Sequence, residues 1–376
     1  MKIYIITLHR AQNYGSVLQT LALQNKLEEI GTEAYVMDYY PERYTNRGLL
    51  KRLKGKSAKL RNPILLLIAK CLIYPSYLKK GWQFNKFLKR IHLVGPAFAT
   101  NDAGMGKFLD ADAYCAGSDQ IWNSHWNECV EKALFLDFAP KNKLIFSYAA
   151  SIGLSEIPVK EVEETKKLLE KFEYISVRED KGVELIKAQL GRKDVVQSLD
   201  PTLLMTKEEW EPYVDNQHGG RKYILTYNLH HDPNIDKYAH ALGEKYGYEV
   251  RNISYNWHDI VRKGHLCWCP TVESFLGLIK HAQFVVADSF HATVFSIIFE
   301  KPFITITPEI ASSRLSSLLG LLELEDRIVS HFTDISGMEK PINYARVKML
   351  ISHERQKSMD YLRKAVSTTS FTHNKE

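Results

Sequence analysis

The chemistry-bearing residues of this chain concentrate where apolar runs stop. Residues 285–288 end such a run at Asp288, and Ser289-Phe290-His291 lead at once into an apolar helix-like stretch. That pattern predicts a buried parallel strand feeding a helix, with polar groups gathered at the turn. Ligands of open α/β sheets bind outside the carboxyl ends of strands, and helix N–H groups there favour anions. His291 is therefore the first candidate for acid–base work.

Other strand ends carry comparable sets. Thr7 to Ser16 places His9, Arg10, Asn13, Tyr14 and Gly15 between a first strand and a first helix, where Asn and Gly allow tight turns and let backbone N–H groups face a ligand. The run is not GxGxxG, so it makes no dinucleotide claim. Gly117 is followed by Ser118, Asp119 and Gln120, which suit sugar hydroxyls. Trp122 offers either a sugar-stacking face or a core side chain. Arg178 ends another strand. Its guanidinium suits a carboxylate or phosphate, or an ion pair with Glu179 or Asp180. Asp200 before Pro201 reads as a ligand contact or a turn aspartate. Ser313 and Arg314, at a helix start, form a candidate anion cradle. His230, His231, His258 and His265 lack metal-ligand spacing and read as surface or loop residues. The cysteines, Cys71, Cys115, Cys129, Cys267 and Cys269, show no CxxC spacing, so no metal site is expected and a reduced, cytosolic chain is the plain reading.

The elements that must position these groups alternate between strand and helix almost throughout. Strands are expected at 2–7, 33–40, 113–117, 144–149, 174–177 and 195–199, then at 223–228, 249–254, 284–288 and 303–307. Helices fit at 17–30, 159–172 and 182–190, then at 234–246, 272–282, 292–299 and 313–322. The fold class predicted is α/β, two Rossmann-like domains facing a cleft. The first spans 1–212, the second 213–343, and a helix and tail at 344–376 return to brace the first, with a loose end after Ser367. The 376 residues are enough for two cores.

The net charge of +6 is unevenly spread: residues 46–90 hold 13 Lys/Arg and no Asp/Glu, leaving the remainder at −7. This segment also contains the apolar run 63–78, interrupted by Lys70 and Pro75 and too broken to span a bilayer. The insertion at about 46–92 reads as a helix on an anionic membrane surface, or as a solvated basic helix packed on its domain. Nucleic acid is not expected as a partner, because acids dominate elsewhere and no recognition motif appears.

Taken together, the motifs resemble the polysaccharide pyruvyl transferase family. They are NYGxxLQ at Asn13–Gln19, GSDQIWN at Gly117–Asn123, SYAASIG at Ser147–Gly153, SVRE at Ser176–Glu179, LDPTLL at Leu199–Leu204, DxxH at Asp288–His291 and SSR at Ser312–Arg314. The resemblance implies a GT-B-like fold and transfer of the enolpyruvyl carbons of phosphoenolpyruvate to a sugar as a cyclic ketal. It implies His291 and Arg178 as catalytic groups. Asn13, Tyr14, Gly15, Gln19, Ser118, Asp119, Gln120, Asp200, Asp288, Ser289, Ser313 and Arg314 would bind substrate. No cofactor beyond the donor is implied.

Histidine titrates near working pH, as carbon protonation requires, and an adjacent phosphate favours the imidazolium. Many family members read DRxH where this chain has Ser289, so either Arg10, Arg314 or a lysine is expected to stand in for that arginine, or the ligand sits differently. The acceptor expected is a hexose, with galactose and a 4,6-ketal as the guess, carried on a polyprenyl diphosphate at the inner face of the cytoplasmic membrane. The competing functions are a GT-B nucleotide-sugar glycosyltransferase and a non-catalytic sugar-binding scaffold.

Overall fold

In the computed structural model, residues 1–55, 57–99, 108, 110–306 and 312–367 are described. The expected tail after Ser367 and Thr307 at the end of an expected strand lie outside them. Short apolar runs form the central parallel strands, Lys2–Ile6, Ala113–Ala116, Leu144–Ser147, Tyr223–Tyr227, Phe284–Ala287 and Phe303–Ile306, which are buried on both faces. Lys2–Ile6 (β1), Glu33–Tyr39 (β2), Leu93–Phe98 (β3), Ala113–Ala116 (β4) and Leu144–Ser147 (β5) pair in the order β3-β2-β1-β4-β5. Ile175–Val177 (β6) and Val195–Gln197 (β7) form a further pair, joined to this sheet by single bridges such as Phe146–Tyr174 and Ala150–Val177.

The second sheet holds Tyr223–Tyr227 (β8), Glu249–Ser254 (β9), His265–Trp268 (β10), Phe284–Ala287 (β11), Phe303–Ile306 (β12) and Ile328–Val329 (β13), in the order β10-β9-β8-β11-β12-β13. Both sheets reverse strand order beside their first strand, at β1/β4 and at β8/β11. The crevice at such a switch point is where doubly wound folds take ligands. β3, β10 and β13 lie beyond the strands expected from the sequence, as the short helices Ser124–Asn127, Pro201–Leu204, Lys207–Trp210 and Ser336–Glu339 lie beyond the expected helices. β3 carries Gly95 and Pro96 and runs along a sheet edge, where Pro and Gly are tolerated. β13 is only two residues long.

The helices are Tyr14–Glu29 (α1), Asn46–Arg52 (α2), Pro63–Leu88 (α3), Ser124–Asn127 (α4), Val159–Leu169 (α5), Asp180–Gln189 (α6), Pro201–Leu204 (α7), Lys207–Trp210 (α8), Pro233–Tyr246 (α9), Val272–His281 (α10), Phe290–Ile298 (α11), Ser312–Leu321 (α12), Ser336–Glu339 (α13) and Tyr344–Ser367 (α14). Although it follows the second sheet, α14 bonds to the first half. Ser358 Oγ accepts the Leu199 N–H, Tyr361 donates to the Ser147 carbonyl, and Arg355 donates to the Leu203 carbonyl.

The halves meet through packed aromatic rings. Tyr14, at the start of α1, is stacked 4.3 Å from Phe275 and 5.4 Å from Tyr255, and its hydroxyl donates to the Pro270 carbonyl. The basic insertion adds a second connection. Asn62 caps α3 and Pro63 opens it, as expected at a helix start. Beyond Pro75 the helix buries Tyr77, Phe84 and Phe87 and reaches the second half. Lys79 donates to the Trp268 carbonyl, Lys80 sits over the Tyr255 ring, and Trp257 donates to Ser76 Oγ and to the Leu72 carbonyl. The first turns of α3 are bare: Ile64 and Leu67 are 68% and 62% exposed. Among the described residues, no helix is long and apolar enough to cross a membrane.

Replacing Tyr14 with Ala should cost about 3–5 kcal/mol, as for other buried aromatic truncations. Tyr14→Phe, which loses only the hydroxyl bond, should cost about 1 kcal/mol. Thermal unfolding of the two variants checks the order, and equal losses would place the energy in the hydroxyl rather than the rings.

Candidate active site

The turn after β1 and the turn after β11 touch. Gly15 lies so close to His291 that a Cβ built there would fall 1.8 Å from the imidazole Nδ1. No side chain fits at position 15 while His291 keeps this place. The Gly15 N–H is already bonded to the Asn13 side chain, which caps α1. Gly15 thus contributes space, not the ligand-facing N–H anticipated, and Asn13 contributes the cap.

His291 itself opens α11 behind the Ser289 cap and is nearly buried. Its Nε2 is 3.5 Å from Asp200 Oδ2, across the boundary between halves. Asp200 is the hub of the site. Its Oδ2 also accepts from Arg178 Nη1 at 2.7 Å and Ser118 Oγ at 3.4 Å, while Oδ1 accepts the Thr202 N–H and hydroxyl. Burial alone would raise the pKa of this carboxyl. His291 and Arg178 beside it, together with Thr202, overcome burial and hold it well below the usual carboxylate range.

Arg178 pairs with Asp200 and not with Glu179 or Asp180. Glu179 instead accepts from Ser151 Oγ and from the Ile152 and Gly153 N–H groups, holding the turn after β5. Burial works against the Arg178 cation, but Asp200, then Asp119 and Glu179, outweigh it and raise the pKa. The guanidinium lies over the Phe290 ring at 4.5 Å. Its Nε and Nη2 are buried without a hydrogen-bond partner among the described residues. Unpaired buried donors on a cation are costly unless an anion completes them. Arg314 lines the same small cavity, about 10 Å³, with Gln197, Ser198, Asp200 and Phe290. Burial and the neighbouring Arg178 push the Arg314 pKa down to about 10. Ser313 precedes it in the first turn of α12.

Several anticipated contacts are used inside the protein. Tyr14 belongs to the aromatic boundary described above. Gln19 is buried, and its amide donates to Thr7 Oγ1, the Ser16 carbonyl and Thr20 Oγ1. Asp119 accepts from Ser16 Oγ at 2.5 Å, and Gln120 accepts from Asn123 Nδ2. Trp122 is a core residue stacked 5.2 Å from Phe135, so it presents no face to a sugar. Arg10 is held bidentately by Asp38, at 2.6 Å on both bonds, which commits it away from the position vacated at Ser289. Of the cations expected to replace that arginine, Arg314 is the one beside Arg178.

The buried Asp288 carboxylate accepts from the Leu229 and His230 N–H groups and from His230 Nδ1, all at 2.8 Å. His230 lies on the surface bend after β8, as expected, and is tied there to Asp288. Its bond to Asp288 raises its pKa, against burial and the nearby Arg314. The rule that singled out His291, a polar residue just past a strand at a switch point, applies equally to His230 beyond β8.

A family model described as polysaccharide pyruvyl transferase matches residues 13–309, and the chain belongs to that family. No curated protein matches the sequence. A crystal structure described as a UDP-N-acetylglucosamine 2-epimerase of Listeria monocytogenes aligns with a TM-score of 0.52 at 10% identity, covering 96% of this chain and 90% of that one. The corresponding enzyme of Rickettsia bellii aligns with a TM-score of 0.49 at 12% identity, covering 99% and 96%. Likeness at such identity concerns the fold alone, which is the two-domain GT-B arrangement.

Asp200→Asn should lower stability by about 3–5 kcal/mol at neutral pH, because it leaves Arg178 buried without its counter-charge. A depressed carboxyl stabilises the fold above the ordinary carboxylate range, and that contribution is lost as pH falls below it. The gap between Asp200→Asn and the parent in denaturant midpoint should therefore narrow between pH 7 and pH 3. A gap independent of pH would show that the Asp200 charge is not what stabilises.

Proposed function

We propose that this pyruvyl transferase takes its pyruvyl carbons from phosphoenolpyruvate and closes them as a ketal on two hydroxyls of a hexose. The observation carrying this reading is the pair of partnerless donors on buried Arg178, beside Arg314 and within reach of the Asp200 that His291 also contacts. Arg178, with two buried donors that Asp200 does not use, and Arg314 beside it suit a small donor bearing phosphate and carboxylate. His291 protonates the donor's methylene carbon, and cation character develops at C2. A sugar hydroxyl forms a bond to C2 and returns its proton to the imidazole. The C2–O bond to phosphate then breaks, and phosphate leaves on Arg178 and Arg314. The second hydroxyl attacks C2, its proton passing to the departing phosphate, and the ring closes.

Asp200 orients His291 and balances its imidazolium during this cycle. His230, held by Asp288, is placed to contact the phosphate. The enclosed part of the cavity holds about one water, so donor entry requires the halves to part. The proposed chemistry uses side chains and the donor alone. Galactose with a 4,6-ketal is the proposed product, since O4 and O6 close a six-membered ring. The acceptor is proposed to ride on a polyprenyl diphosphate at the cytoplasmic face of the membrane, where the cationic insertion and the exposed apolar turns of α3 would rest on anionic lipid.

Incubation with phosphoenolpyruvate and candidate lipid-linked hexoses should add one pyruvyl group by mass and release one phosphate. Turnover of a UDP-sugar in place of phosphoenolpyruvate would overturn the proposal. His291→Ala and Gly15→Ala should each lower kcat at least 100-fold while leaving the circular dichroism unchanged; an active His291→Ala removes the imidazole from the mechanism. The double variant Lys54→Glu/Lys59→Glu should bind phosphatidylglycerol vesicles more weakly, most clearly at low salt. Unchanged sedimentation with vesicles would retire the membrane contact.

A further inference from the structure

Helices α2 and α3 enclose a groove of about 380 Å³ lined by Asn46, Arg47, Leu50, Lys51, Lys70 and Tyr74. Its charged lining is entirely cationic. Lys70 has no carboxylate partner among the described residues. Among the described residues Lys51 and Arg47 share the exposed Glu42, at 2.5 and 3.8 Å, and exposed pairs of this kind hold only weakly. Leu50 and Tyr74 add apolar surface. The outer side of the groove continues onto the bare turns of α3, where Leu67 and Ile68 precede Lys70 and Leu72 and Leu78 flank Tyr74.

The inner side leads toward the cleft. Asn46 Oδ1 is buried without a hydrogen-bond partner among the described residues, as is Gln12 Oε1. Both amides border Gly81: a Cβ there would lie 3.6 Å from Gln12 Nε2 and 4.0 Å from Asn46 Oδ1. Gln12 sits in the turn after β1, three residues before the Gly15 that touches His291. Two amides with unused acceptors thus stand between a cationic groove and the imidazole, a chemistry that suits sugar hydroxyls.

We propose that this groove is the diphosphate subsite of the acceptor. A prenyl diphosphate would place its two phosphates among Arg47, Lys51 and Lys70, run its hydrocarbon along α3, and direct its sugar past Asn46 and Gln12 toward His291. The proposal rests on the reading of the acceptor as lipid-linked, and it specifies where the charge and the chain of that acceptor are recognised.

Farnesyl diphosphate, inorganic pyrophosphate and farnesol serve as probes for the full-length chain in calorimetry. The expected result is saturable binding of farnesyl diphosphate, at least tenfold weaker binding of pyrophosphate, and no measurable binding of farnesol. Lys70→Glu and Arg47→Glu should each weaken farnesyl diphosphate at least tenfold, while Lys54→Glu/Lys59→Glu leaves that affinity unchanged and loses vesicle binding. An equal loss in the latter variant would mean diffuse attraction to the basic segment and overturn the subsite. Pyrophosphate binding as tightly as farnesyl diphosphate would overturn the role of α3. Because binding is read without turnover, a failure of pyruvyl transfer leaves this result standing, and loss of the subsite leaves transfer to a free glycoside intact.

Discussion

One buried carboxylate organises this protein. Asp200 carries a charge that would be prohibitive in an apolar interior, and it keeps that charge because Arg178 and His291 approach it from different halves of the chain. The arginine follows β6 in the first half, and the imidazole belongs to the helix that follows β11. Bringing the halves together therefore completes the electrostatic balance of Asp200 and assembles the site in one event. The aromatic packing around Tyr14 and the reach of α3 to Trp257 and Trp268 hold the arrangement on either side.

The strand and helix alternation was legible because each strand is a short apolar run ended by a polar turn, and parallel sheets impose that pattern. The strands missed, β3, β10 and β13, lie at positions where the pattern weakens: β3 carries Gly-Pro on an edge, β10 is a partly exposed edge strand, and β13 is two residues long. His291 and Arg178 could be picked out individually because each stands just past a strand. Their common partner could not, since Asp200 is separated from His291 by 91 positions and only the closed fold makes them neighbours. Trp122 misled for a related reason. An indole after a turn of Ser118, Asp119 and Gln120 has the composition of a sugar platform, and packing against Phe135 and Phe172 shows that it faces inward.

His230 was passed over because it was tested only for metal spacing. Asp288 was assigned to substrate, and the described bonds of its carboxylate go to the 229–230 backbone and the His230 ring. The departure at Ser289 is clarified by the same neighbourhood. Ser289 caps α11, while Arg314 supplies a guanidinium beside Arg178 from another helix. Arg178 and Arg314 thus bring two cations to one cavity from distant points in the sequence.

The long helix α3 has two ends with different attachments. Its early turns are bare and greasy, and its later turns are bolted to the second half by Lys79, Lys80 and the Trp257 backbone. Since its stem emerges from the first half, it works as a rigid lever: any force that drags the greasy end sideways is delivered to the seam between the halves, and the gap over His291 would widen or shut with the pull.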